Sequence, residues 1–146
     1  MMARNEGPLD GAARGRERGR RGEELAVAWL RERGFEIMER NLRRRQCGEV
    51  DLLARRGGVL HVIEVKTGAA PPAELMQRVD ERKLRLLLGT LARSGWLEAG
   101  PEGAPCLVDL LLVQLGEGGP RIELVEDVCP PELRWRGGPD LLRCHD

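Results

Sequence analysis

CGEVDLLARRGGVLHVIEVKT, residues 47–67, contains two strand-length segments on either side of a double glycine. Gly57 and Gly58 suit the positive backbone dihedrals of a two-residue hairpin loop, so the segments should fold back on each other as antiparallel neighbours. Successive strand residues point to opposite faces. By that rule Glu49 and Asp51 share a face, Glu64 and Lys66 share a face with Val62, and Ile63 and Val65 fill the other side. Folding at the glycines brings Asp51 opposite the Glu64 to Lys66 end, which gathers carboxylates and one ammonium at a single spot.

Like charges a few ångströms apart raise each other's pKa or recruit a cation, and carboxylate oxygens are the ligands that hard divalent ions prefer. The two side chains of Glu64 and Lys66 lie roughly 6.5–7 Å apart along the strand, within reach of one phosphate or water. Acid, acid and lysine around a magnesium or manganese ion is an arrangement that cleaves phosphodiesters. An E-V-K triplet alone is also an ordinary ion-paired outer face. Here the flanking residues are apolar on both sides, so the charges sit in a strand that reads as buried and they need partners.

The 146 residues suffice for one core, and 41% hydrophobic with 33% charged residues is a globular balance rather than a disordered one. No apolar run reaches membrane-spanning length, and the arginines near the N-terminus are not followed by an apolar segment, so the expectation is a cytoplasmic protein without a secretory signal. Formal net charge is zero but unevenly spread: residues 1–97 carry 20 Lys or Arg against 14 Asp or Glu, and residues 98–146 carry 4 against 10. A basic front half can track nucleic-acid phosphates. Cys47, Cys106, Cys129 and Cys144 have neither zinc nor redox spacing. Cys47 has no histidine partner to make it a nucleophile, since His61 points away from Glu64 by strand parity and reads as a packing or surface residue. A metabolic enzyme built on Cys47 therefore has no supporting constellation.

In chain order, residues 1–18 read as a flexible Arg/Gly-rich tail, residues 19–127 as one domain and residues 128–146 as an irregular tail that could dock through Trp135. A helix is expected over 22–33, ended by Gly34, with Ala26, Val27 and Leu30 as its apolar stripe. Glu23 falls on that inward side and is the acid placed to reach the cluster, whereas Glu24 is explained by the helix dipole alone. A strand over 35–38 leads into the basic segment 40–45, where Arg40, Arg43, Arg44 and Arg45 could neutralise a nucleic-acid backbone or charge an exposed sheet edge. A second helix is expected over 73–93, burying Leu75, Val79, Leu84, Leu87, Leu88 and Leu91. Lys83 leans toward that apolar side, either snorkelling or pointing at the site. Strands over 106–115, with Asp109 inside, and 121–125 complete an α/β order of helix, three strands, helix, two strands: a central mixed sheet flanked by helices.

Four motifs in this order, GRRGEELA at 19–26, RNLR at 40–43, GEVDLLA at 48–54 and VIEVKT at 62–67, resemble the YraN-like family of predicted bacterial endonucleases. That family is similar to archaeal Holliday junction resolvases and restriction endonucleases, which share the PD-(D/E)xK nuclease core. The resemblance covers about residues 19–115. It implies a restriction-endonuclease-like fold and a magnesium-dependent endonuclease acting on DNA, including branched or structured DNA. By the same resemblance Asp51, Glu64 and Glu23 would hold the metal, Lys66 would orient or help deprotonate the attacking water, and Glu49 would support them from behind. The nucleic-acid contacts would come from Arg40, Arg43, Arg44, Arg45 and Lys83, and a homodimer would suit a two-stranded substrate. The chain departs from the pattern at Gly68, where the family usually has arginine, and at Val50, where the broader nuclease motif has proline. The alternative is a nucleic-acid-binding or scaffold module that keeps the nuclease fold without turnover.

Overall fold

The computed structural model describes residues 8–43, 48–76, 80–94 and 106–128. Arg44, Arg45, Cys47, Val79 and Trp135, each assigned a place above, lie outside the described residues, as do positions 129–146 of the expected C-terminal tail.

The hairpin expected at the double glycine is present. β2 (Glu49–Arg56) turns through Gly57 and Gly58, at φ 58° and 77°, into β3 (Val59–Gly68), with Arg56 opposite Val59. Positive φ at both loop residues is the turn whose twist matches the strands it joins. β1 (Glu36–Arg43) lies antiparallel on the other side of β2. On the far side of β3, β4 (Cys106–Gln114) runs parallel and β5 (Arg121–Val125) returns antiparallel, giving one five-stranded mixed sheet in the order β1-β2-β3-β4-β5.

Helices cover both faces, as alternation requires of strands this apolar. α1 (Pro8–Glu32) buries Ala26, Val27 and Leu30 against Leu52, Ala54, Ile63, Leu111 and Val113. It ends where the sequence places its stop: Gly34 at φ 84°, with the Gly34 and Phe35 amides donating to the Arg31 and Leu30 carbonyls at 3.1 Å each. That pair of bonds satisfies two carbonyls the helix end would otherwise leave open. Its start differs from expectation. The helix begins at Pro8 rather than near Gly22, so residues 8–18, expected as tail, are helical in the described part.

The opposite face is covered by α2 (Pro72–Met76) and α3 (Glu81–Ser94), where one helix over 73–93 was expected. Asp80 explains the separate start: its side chain accepts from the Lys83 amide at 2.9 Å and its carbonyl from the Leu84 amide at 3.1 Å, an N-terminal cap written in the sequence. Leu84, Leu87, Leu88 and Leu91 of α3 pack on Leu53, Leu60, Val62 and Val108, while Leu75 of α2 packs on Leu110 and Leu112. Thr90 fastens α3 to the sheet by donating to the Gly48 carbonyl at 2.5 Å, and a Cβ at Gly48 would stand 2.9 Å from the Leu86 Cβ. Among the described residues no helix is long and apolar enough to cross a membrane.

Candidate functional site

β2 and β3 are paired only as far as Leu52 opposite Ile63, although β2 starts at Glu49 and β3 continues to Gly68. Beyond that pair the two strands part, and the acidic and basic residues stand in the fork. The side chain of Asp51 takes over the role of the missing ladder, its Oδ2 accepting from the Val65 amide at 2.9 Å. Strict alternation also slips here. Val50 and Leu53 both join the α3-side core, while Leu52 and Ala54 join the α1 side, so Asp51 sits at a local irregularity. Across from it β1 is kinked as well: Arg40 pairs with Leu52 and Leu42 with Val50, and Asn41 between them has φ 52°. Asparagine is among the few side chains that tolerate that conformation.

The fork opens into a cleft of about 400 Å³ lined by Glu23, Asp51, Glu64, Lys66 and Thr67, with Gly15, Arg18 and Gly19 of α1 on one wall. Glu64 is only 3% exposed. Its Oε1 is held by Lys66 Nζ at 3.1 Å and by Lys83 Nζ at 3.6 Å, so Lys83 reaches the site from α3 as a partner of this carboxylate. Its Oε2 is buried and without a hydrogen-bond partner. Leaving a buried carboxylate oxygen unsatisfied is costly, and such an atom calls for a cation or a donor. Asp51 lies next to Glu64. Burial, then the charge of Glu64, with a smaller contribution from Glu23, pushes the Asp51 carboxyl up from 3.8 to about 7, against the opposing bond from the Val65 amide.

Glu23 lines the same cleft but is tied on its other side. The Asn41 amide, oriented with its nitrogen toward the acids, donates to Glu23 Oε1 at 3.2 Å and to Glu49 Oε1 at 3.0 Å. Glu49 also receives Arg43 Nε and Nη2 at 2.7 Å each. Glu49 therefore connects to the cleft through Asn41 and Glu23. Arg43 is engaged with Glu49, and Arg40 donates to Glu24 Oε1 at 2.6 Å, so the two described residues of the four arginines expected to meet nucleic acid both carry carboxylate partners. Two residues that sequence reasoning assigned no role prove central to the geometry. Asn41 bridges two acids from a strained backbone position inside the RNLR motif. Gly22 lets α1 approach β3: a Cβ there would stand 1.8 Å from Thr67 Oγ1.

Among the described residues, no three His, Cys, Asp or Glu side chains stand close enough together to hold an ion as they are placed. Two do converge, Asp51 and Glu64, with Glu23 across the cleft. The donor set is all oxygen, one atom of it is orphaned, and its charge is held back by mutual repulsion. These features fit a hard divalent cation better than a soft one. A second polar pair lies apart from the cleft. His61 Nδ1 and Asp109 Oδ2 meet at 2.5 Å with both residues buried, His61 packing edge-on against Phe35 at 5.0 Å between centroids. Asp109 Oδ1 also accepts the Asp127 amide at 2.9 Å, so this pair pins the segment after β5. His61 is thus a core residue with a buried partner.

The comparisons with known proteins agree with the motifs. Residues 22–113 match the family described as Uncharacterised protein family UPF0102. A UPF0102 protein of Clavibacter michiganensis is 38% identical over 117 residues, covering 76% of this chain and 94% of the relative. Relatives from Rhodococcus jostii and Helicobacter pylori are 39% and 35% identical, covering 75% and 77% of this chain and 92% and 91% of their own lengths. The matched span contains Glu23, Asn41, Asp51, Glu64, Lys66 and Lys83 and begins at the glycine that seats α1 on β3. The chain belongs to the UPF0102 family.

Proposed function

We propose that the protein is a metal-dependent endonuclease that hydrolyses phosphodiester bonds in DNA, on a restriction-endonuclease-like core. The observation that carries this reading is the buried, unpartnered Glu64 Oε2 beside Asp51, in a cleft that Lys66 and Glu23 also line. A pure binding surface gains nothing from carboxylates that repel phosphate, whereas a hydrolase needs them. Asp51 and Glu64 would hold magnesium or manganese, with Glu23 joining from α1. When bound, such an ion supplies Lewis acidity toward a phosphoryl oxygen and lowers the pKa of water.

The chain's own residues divide the remaining work. Lys66, held 3.1 Å from Glu64 Oε1, keeps its ammonium at the cleft, where it can orient a water and offset charge developing on the phosphoryl oxygens. An ordinary lysine with a pKa near ~10.4 is a poor base until desolvated, so Lys66 acts first as a positioner and charge stabiliser. Lys83 adds a second ammonium to Glu64 Oε1, at 3.6 Å, and helps hold that carboxylate in place. Asn41 restrains Glu23 and Glu49, limiting the set of positions Glu23 takes across the cleft. Attack of water on phosphorus with loss of the 3′ oxygen leaves a 5′ phosphate.

The test is cleavage of labelled single-stranded, duplex, flapped and four-way-junction DNA with magnesium or manganese, comparing wild type with Glu64→Ala and Lys66→Ala. Metal-dependent cutting abolished by both substitutions supports the reading and reveals the substrate class. Binding that is salt-dependent without any cutting supports the non-catalytic module instead.

A further inference from the structure

The face by which α1 sits on the sheet continues past the sheet. Gly15, Gly19, Gly22 and Ala26 recur at spacings of four, three and four, which places them on one side of a helix. Ala26 is fully buried and Gly22 abuts Thr67, but nothing lies within 4 Å of a Cβ built at Gly19 or Gly15. At a rise of ~1.5 Å per residue, Gly15 stands about 10 Å beyond Gly22, so the helix overhangs the fork between β2 and β3. The overhang precedes residues 22–113, the span matched by the family.

Arg18 lies on the cleft side of this overhang, with Gly15 and Gly19. Among the described residues it makes no ion pair, although Glu23, Asp51 and Glu64 line the same cleft, and the lysines that do meet Glu64 come from β3 and α3. Across from it stands the buried Glu64 Oε2 without a partner, an independent sign that the cleft is built for an occupant. A guanidinium on one wall, carboxylates on the floor and a glycine surface between them suit a chain of phosphodiesters. The acids hold a cation at one phosphate, the guanidinium takes an adjacent phosphate with paired N–H donors, and the missing side chains leave width for the sugar-phosphate backbone.

We infer that the overhang of α1 is a clamp for one nucleic-acid strand, with Arg18 as its phosphate-binding residue and Gly15 and Gly19 as the surface the strand lies against. This rests on the nuclease reading of the cleft and names a positioning element for it.

The experiment measures binding of the full chain to a fluorescein-labelled single-stranded oligodeoxynucleotide by anisotropy over a salt series, and separately its magnesium-dependent cutting. Three variants are compared with wild type: Arg18→Ala, Gly19→Leu and Arg16→Ala. Arg16 lies two residues from Arg18, about 160° around the helix, and removes the same charge from the same exposed segment. The clamp predicts that Arg18→Ala weakens binding about tenfold and lowers the slope of log Kd against log salt by about 0.7, the loss of one single-strand phosphate contact. Gly19→Leu weakens binding at least as much with an unchanged slope, and Arg16→Ala changes it less than twofold. Equal weakening by Arg18→Ala and Arg16→Ala overturns the clamp, as does full-strength binding by Gly19→Leu. Failure of the clamp alone is recognised by Asp51→Ala abolishing cutting while Arg18→Ala leaves binding and KM at wild-type values. Failure of the nuclease reading is recognised by the absence of cutting in wild type, and the binding comparison still decides the clamp.

Discussion

Replacing Asp51 with asparagine should stabilise the metal-free protein above neutral pH. In the fold its carboxyl is pushed up from 3.8 to about 7, by burial first and by Glu64 next. A carboxyl with a raised folded-state pKa contributes stability that is full below its unfolded value and is lost as pH rises through the folded value. The relevant window is therefore pH 3.8 to about 7. At ~1.4 kcal/mol per pH unit the ceiling on this loss is about 4 kcal/mol. Asp51 is partly open to the cleft and water recovers some of that, so the expected penalty is about 2 kcal/mol. Asparagine retains an oxygen to accept the Val65 amide, now at 2.9 Å, and carries no charge to repel Glu64. Urea unfolding of wild type and Asp51→Asn without divalent ions, at pH 5 and pH 8, isolates the effect of this carboxyl and its repulsion with the neighbouring acids, because titrations outside the cleft are common to both. Because pH 5 lies inside that window, about two-thirds of the penalty falls between the two pH values, and the variant should gain about 1.3 kcal/mol on wild type there. Magnesium should close the gap at pH 8 by binding wild type alone. A difference that does not change with pH, or wild type becoming the more stable protein at pH 8, refutes the reasoning.

Gly22→Ala should force α1 away from β3, because the added methyl would stand 1.8 Å from Thr67 Oγ1; a loss of about 1–3 kcal/mol in urea unfolding is expected, with cutting reduced more than folding. Asn41→Ala combines a left-handed backbone position with loss of the bridge between Glu23 and Glu49 and should cost about 1–2 kcal/mol, while Asn41→Gly relieves the backbone and costs less, a ranking that thermal melts can read. His61→Leu leaves Asp109 Oδ2 buried without its partner and should destabilise by about 2–4 kcal/mol, with the segment after β5 loosening first in hydrogen exchange at the Asp127 amide.

The hairpin, the strand order along the chain and the grouping of Asp51 with Glu64 and Lys66 were legible because each depends on short-range rules: glycine at a tight turn and a period of two along a strand. The stop at Gly34 was legible for the same reason. What the sequence hid depends on three-dimensional meeting points. Residues 8–18 form helix with no apolar stripe to announce it; at Gly15, and at Gly19 just beyond, nothing lies within 4 Å of where a Cβ would stand. The break before α3 was written in Asp80 as a cap, but a continuous leucine pattern on either side masked it. Asn41 looked like one polar residue in a basic run; only its positive φ and its position opposite the slip at Asp51 reveal the bridge it makes. His61 and Asp109 are 48 residues apart, and no local pattern pairs them. Arg40 and Arg43 read as free basic groups because their partners, Glu24 and Glu49, come from a helix and a neighbouring strand.

If Asp51 and Glu64 hold a cation, isothermal calorimetry of magnesium and manganese binding detects it without any assumption about substrate. At pH 8, where Asp51 is ionised, wild type should take up the ion, Asp51→Ala and Glu64→Ala should lose at least about tenfold in affinity, and wild type at pH 6 should bind more weakly because protons compete for Asp51. Equal and negligible uptake by wild type and both variants at pH 8 would contradict the account.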